Sequence, residues 1–173
     1  MTFEIHSDIT NRSMTIAARA MRRVLRRKRS IMWAIFGWSV FLFNALLLIP
    51  FNGEPFTLDA RTVISLLVEV ILLSVLLFQD RFNGMIACKN TLAGAKDYHV
   101  AFGEDSYTVV TATTSTFRYE LIDALAESQD YIIFLMKKRY AQPLDKRTLI
   151  GGTVEEFKRF LEEKTGKTFR RVK

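Results

Sequence analysis

The chain has 173 residues, 49% of them apolar, and carries 25 Lys plus Arg against 18 Asp plus Glu for a formal charge of +7. That length suits one domain, or one small domain with an accessory segment. A single cysteine, Cys88, with only His6 and His99 beside it, excludes disulfide frameworks and zinc modules, and no cofactor is expected. Residues 1–30 hold eight basic and two acidic side chains, so +6 of the +7 lies near the N-terminus.

At the start of the chain Phe3 and Ile5 alternate with Thr2, Glu4 and His6 as in a short strand, before helix-start signals at Ser7 and Asp8. Between Thr10 and Arg29, the residues Met14, Ala17, Met21 and Val24 recur at helical spacing, and arginines fill the remaining surface. This predicts a basic amphipathic helix that adheres to an anionic leaflet through Arg22, Arg23, Arg26 and Arg27, or continues the first span upward into the cytoplasm. Nucleic acid attracts the same charges, but no aromatic platform is interleaved with them, so it is not expected as a partner.

Residues 31–50, IMWAIFGWSVFLFNALLLIP, contain no charge, and at about 1.5 Å per residue they match a hydrocarbon layer of roughly 30 Å. A second apolar run, Thr62 to Phe78, is flanked by Arg61 and by Gln79, Asp80 and Arg81. Between the runs, Asn52-Gly53 and Pro55 break helices, which predicts an antiparallel transmembrane hairpin. The six basic residues from Arg22 to Arg29 place both termini in the cytoplasm of a multi-pass inner-membrane protein. The rival reading, a cleaved signal peptide, lacks a small-x-small site before Phe51.

Trp33 suits an interfacial depth anchor. Glu69 falls about 12 Å deep, near the level of Asn44, with Ser65 one turn away, which predicts an interhelical hydrogen bond. A protonated acid joining two helices is one reading of Glu69; a proton or ion relay, or an oligomer contact, is the other.

From Tyr98 onward, short runs rich in Val, Thr, Tyr and Phe predict a meander of strands: Tyr98 to Phe102, Tyr107 to Ala112, Thr116 to Leu121, Ile122 to Ala126, Tyr131 to Lys137 and Tyr140 to Leu144. Thr153 and Glu156 form a capping-box pattern ahead of a helix with Val154, Phe157, Phe160 and Leu161 on one face, stopped by Gly166. The helix covers the sheet, and the N-terminal strand adds to it, making the soluble domain discontinuous around the hairpin. The expected organisation is an N-terminal strand and basic helix over 1–30, a hairpin over 31–81 with spans at about 31–50 and 61–79, a cytoplasmic domain over 96–166 and a basic tail over 167–173.

This order of elements resembles the YcxB-like family of bacterial membrane proteins, which pair two spans with a C-terminal domain. The segments that carry the resemblance are Phe102-Gly103-Glu104-Asp105, Phe117 to Ile122, Tyr131 to Leu135, Leu144 to Leu149, and Glu156-Phe157. Tyr119 stands where a Trp is usual, which preserves an aromatic, and Asp145 where a Pro is usual, which changes the turn. The resemblance implies a fold similar to pleckstrin-homology-like barrels and no particular activity.

Lys137, Lys138, Arg139, Lys146 and Arg147 form a candidate interaction surface toward the leaflet or an acidic partner. Cys88, just past the second run, suits palmitoylation or simple packing. No phosphate-cradling loop or nucleophile elbow occurs in the sequence. The whole reads as an α+β membrane protein, a two-helix hairpin carrying a small antiparallel PH-like sheet capped by a C-terminal helix. Its expected role is a non-catalytic binding or regulatory module with anionic lipid, a protein or a second copy as partner. The alternative is a small channel or transporter subunit oligomerising around Glu69.

Overall fold

A computed structural model describes residues 2–49, 59–136 and 140–172. The expected loop signals Asn52-Gly53 and Pro55 lie outside them. Among the described residues, eight strands form two four-stranded sheets. The first contains β1 (Phe3–Asp8), β2 (Asp97–Phe102), β3 (Ser106–Val110) and β4 (Thr114–Arg118), antiparallel and in that order. The second contains β5 (Ile122–Glu127), β6 (Tyr131–Met136), β7 (Tyr140–Asp145) and β8 (Phe169–Arg171) in the order β7-β6-β5-β8.

The first strand and the strand after the hairpin pair along their length, Phe3 opposite Phe102 and Asp8 opposite Asp97. Edge strands β1 and β7 meet, because Glu4 and Ile150 exchange backbone hydrogen bonds of 3.0 and 2.9 Å and the Asp145 N–H donates to Ser7 Oγ at 2.9 Å. Helix α4 (Val154–Thr165) starts at the Thr153–Glu156 capping box and ends at Gly166, whose φ of 65° is the left-handed conformation a glycine takes without a Cβ penalty. Its Phe157 and Leu161 enter the core among Phe3, Phe102, Tyr107, Leu125 and Phe134.

The basic tail contains a short strand. Residues Phe169–Arg171 pair in parallel with Leu125 to Glu127. Three residues with two arginines give almost no strand signal, and the pairing depends on the α4 turn delivering them to the β5 edge.

Strand β6 is buried at every position. Ile132, Phe134 and Met136 face the core between the sheets, while Tyr131, Ile133 and Leu135 face outward and are covered by Ala17 and Ala20 of helix α1 (Asn11–Ala20) and by Met21 just after it. The helix-start signal is also displaced from its expected place: β1 continues through Asp8, and Thr10 is the cap, in a reciprocal capping box with Ser13. After α1 a single π-helical turn, Met21–Leu25, and non-helical backbone at Arg26 precede helix α2 (Arg27–Leu47). A π turn holds an extra residue, so it rotates and bends the helix beyond it.

Helices α2 and α3 (Ala60–Asn90) are both long and apolar enough to cross a membrane. No residue of α2 is buried, and α3 buries only Glu69, Asp80 and Gly84. Helix α3 is much longer than its apolar run. At 31 residues it extends about 46 Å, some 15 Å beyond a hydrocarbon layer. Non-helical backbone at Phe78 marks the joint, and the continuation packs antiparallel against α1.

The tightest point of that packing is Gly84, where a Cβ would stand 2.5 Å from the Thr15 backbone nitrogen. Gly84→Val should therefore force the helices apart and lower the stability of the detergent-solubilised chain by about 3 kcal/mol, read as a fall in its thermal midpoint by circular dichroism. An unchanged midpoint would show that α1 and α3 do not touch there.

Candidate functional site

The π turn and the helical continuation of α3 bring together charges far apart in sequence. Asp80, only 9% exposed, accepts a bidentate pair from Arg22, Nε at 2.7 Å and a terminal nitrogen at 2.5 Å, with Arg19 Nε at 3.5 Å. The Asp80 carboxylate hydrogen-bonded to Arg22 raises the guanidinium's already high pKa despite burial. Arg12, one face further along α1, pairs at 2.5 Å with Asp130 in the β5–β6 turn. The basic helix expected on a leaflet is thus wedged between β6 and α3. Its buried side is made of Ser13, Ala17 and Ala20, small enough for close approach.

Alongside these pairs a groove of about 860 Å³ runs between α1 and α3. Ile16, Phe78, Phe82 and Met85 form its apolar lining and Arg12, Arg19 and Arg81 its charged one, with no carboxylate among the described residues that line it. A smaller cleft of about 380 Å³ shares Arg12, Ile16 and Arg19 and adds Arg171 and Asp130. Phe78 ends the apolar run, so the groove opens where apolar surface gives way to charge.

The residues singled out from sequence are scattered. Arg22 belongs to the Asp80 pair rather than to an outer surface; Arg23, Arg26 and Arg27 are exposed beyond it. Trp33, 55% exposed, stands edge-on to Phe36 at 5.9 Å near the domain end of α2. Glu69 is 8% exposed, and neither carboxylate oxygen has a hydrogen-bond partner among the described residues. The expected bonds to Asn44 or Ser65 are not made. Gly37 of α2 meets Leu76 of α3 so closely that a Cβ would lie 2.6 Å from Leu76 Cδ2. Asn44 and Glu69 lie seven residues beyond that contact in each helix, on the same seam and at one level. At that level Asn44 makes no hydrogen bond to Glu69.

Lys137, Lys138 and Arg139 lie outside the described residues. Lys146 turns inward, donating to Glu127 at 2.5 Å and to the Ser128 carbonyl at 2.7 Å, while Lys158 holds the other Glu127 oxygen at 2.7 Å. Asp145 caps the single turn Lys146–Thr148, accepting from the Arg147 N–H at 3.0 Å and from its guanidinium. Asp145 thus supplies the turn with a carboxylate acceptor. Tyr119, 4% exposed, fills its aromatic position and donates to the Gly103 carbonyl at 2.8 Å. Cys88 is half-buried against α1's entry, with Sγ 3.7 Å from the Ile9 carbonyl oxygen.

The two histidines are opposite each other across β1 and β2. His6 Nε2 is 3.1 Å from Asp97 and 3.9 Å from Asp8, and these three exposed residues can bring ligand atoms within 4.8 Å of one another. His99 faces Glu4 at 3.3 Å. The β1–β2 register sets the alignment of this row.

The molecule is an α+β protein in which two apolar helices interrupt the first sheet between β1 and β2. Residues 102–161, from the end of β2 into α4, match the family model described as YcxB-like protein, and the chain carries a YcxB-like domain there. No curated protein and no solved structure matches the chain.

Two outcomes are expected of these pairs. Asp80→Asn leaves Arg22 facing a neutral amide and should cost about 2 kcal/mol, again measured as a drop in thermal midpoint; Arg22→Lys keeps the charge but not the fork, and should lower the midpoint by a smaller amount. Burial pushes the Glu127 carboxyl up, but the Lys146 and Lys158 ammoniums outweigh it, and the Arg147 guanidinium likewise holds Asp145 below the ordinary carboxylate range. Carboxyls depressed on folding contribute stability that is complete above about pH 5 and lost as pH falls through the lowered values, below about pH 4. Unfolding monitored from neutral to acid pH should show that decline, and Glu127→Gln with Asp145→Asn should flatten it.

Proposed function

We propose that this protein is a membrane-anchored binding or regulatory module without catalytic activity, its sheets and helix forming a PH-like domain held in the cytoplasm at the inner membrane. The observation that carries the reading is the exposure of the two apolar helices together with their rigid attachment to the domain. Trp38, Phe43, Leu47, Ile64, Val70 and Leu77 all lie open on their surfaces, and an apolar wall of this extent requires a non-aqueous cover. A leader peptide is disfavoured on structural grounds, since cleavage after α2 would remove β1 and with it Phe3 and Ile5 from the core. The basic residues from Arg23 to Arg29 precede α2's apolar run, which supports a cytoplasmic position for both termini. The two stacked sheets with a C-terminal helix between their edges support the PH-like reading. Anionic lipid, a protein partner or a second copy is the expected ligand class, and nucleic acid is not.

Glu69 supports a second reading, a small channel or transporter subunit, because a buried carboxylate with no hydrogen-bond partner among the described residues suits a proton-accepting group. Its position on the seam toward α2 disfavours direct contact with a neighbouring copy.

The chain should sediment with membranes after lysis and need detergent for release, and a C-terminal tag should survive protease added to intact spheroplasts. Release into the supernatant, or digestion of the tag, would reject the proposed placement. Glu69→Gln should leave insertion unchanged and purified vesicles without ion flux; flux in wild-type vesicles that disappears in the variant would establish the second reading.

A further inference from the structure

We infer that the groove between α1 and α3 is a binding site for one anionic phospholipid of the leaflet next to the domain. The inference rests on the membrane placement proposed above and names a ligand class and the residues that would hold it. Three observations converge. The lining divides into an apolar part, Phe78, Phe82 and Met85 on α3 with Ile16 on α1, and a guanidinium part. An amphiphile with an acyl chain and an anionic head matches that division, whereas a soluble polar ligand leaves the apolar part in contact with water. The volume, about 860 Å³, lies within the range that encloses a ligand of several hundred daltons, enough for a headgroup and the first part of the chains.

The charge is also unbalanced in the required direction. Arg12, Arg19, Arg81 and Arg171 line the groove and the cleft beside it, against Asp130 alone among the described lining residues. Arg22 already engages both Asp80 oxygens, so Arg19 is left with a 3.5 Å contact to one of them. Arg81 makes no ion pair among the described residues. Guanidiniums with unused donors are the side chains best matched to the paired oxygens of a phosphodiester.

The depth of the groove agrees with such a ligand. It begins at Phe78, where the apolar run of α3 ends and its helical geometry is interrupted, and Arg81 comes within one turn. In a spanning helix that is the headgroup level, so a lipid enters sideways from its own leaflet without leaving the bilayer.

Native mass spectrometry of the full chain in detergent, titrated with phosphatidylglycerol, with phosphatidylcholine and with inorganic phosphate, tests this. Phosphatidylglycerol should bind more tightly than phosphatidylcholine, and Arg81→Gln should weaken it about fivefold or more. Lys28→Gln, which removes an exposed charge outside the groove, should not. Met85→Trp, which fills the apolar part without touching a charge, should weaken both lipids.

Equal binding of the two lipids, equal losses for the Arg81 and Lys28 variants, or displacement of the lipid by inorganic phosphate alone would overturn the site. A chain that stays in solution without detergent would reject the membrane placement instead. The two failures are thus separable.

Discussion

The arrangement depends on one helix packed from two sides. Ala17, Ala20 and Met21 seat α1 on the outer face of β6, and Thr15, Arg19 and Arg22 engage α3 at Gly84 and Asp80. Small residues at both contacts bring the backbones close, and close-packed interiors transmit displacement with little compliance. The apolar hairpin is therefore attached to the folded domain as a continuous solid and not through a linker. The buried Asp80 carboxylate gives that attachment its register. A shift of α3 by one residue would part it from a fork that fits both of its oxygens.

Features written locally were legible in the chain, and those that depend on distant partners were not. The capping box at Thr153 and Glu156, the stop at Gly166 and the strands with period-two alternation are each contained within a few residues. The paired faces of α1 are not. Arg19 and Arg22 resemble a solvated stripe until Asp80, 58 positions after Arg22, is known to lie beside them. One signal was present without being obvious: Tyr131 to Met136 is apolar throughout and does not alternate, as befits a strand covered on both faces. A helix had to exist to cover the second face, and α1 is that helix. The Phe169–Arg171 strand carried no such signal, since three residues with two arginines have no periodicity to read.

The candidate site shows the same division. Its arginines were visible as a basic cluster, and its apolar lining as the end of a hydrophobic run. Their meeting in one groove required the π turn at Met21–Leu25, the interruption at Phe78 and the length of α3, none of which composition or spacing expresses. The hairpin seam is similar. Gly37 and Leu76 bring α2 and α3 together, and the same geometry encloses Glu69 without supplying it a donor from the described residues.

The interrupted topology also orders the making of the chain. The first strand emerges from the ribosome before either apolar helix, yet its partner β2 comes after both, so β1 must wait unpaired while nearly 90 intervening residues are synthesised. Phe3 and Ile5 cannot be buried until that partner arrives. Closure of the first sheet is then a late event of a vectorial sequence, and it occurs only when the two ends of the helical hairpin return to the same place. A misplaced hairpin leaves an apolar strand edge exposed, the kind of surface that quality-control proteases and chaperones engage. Burial of Phe3 and Ile5 is thus conditional on both ends of the helix pair returning to one sheet.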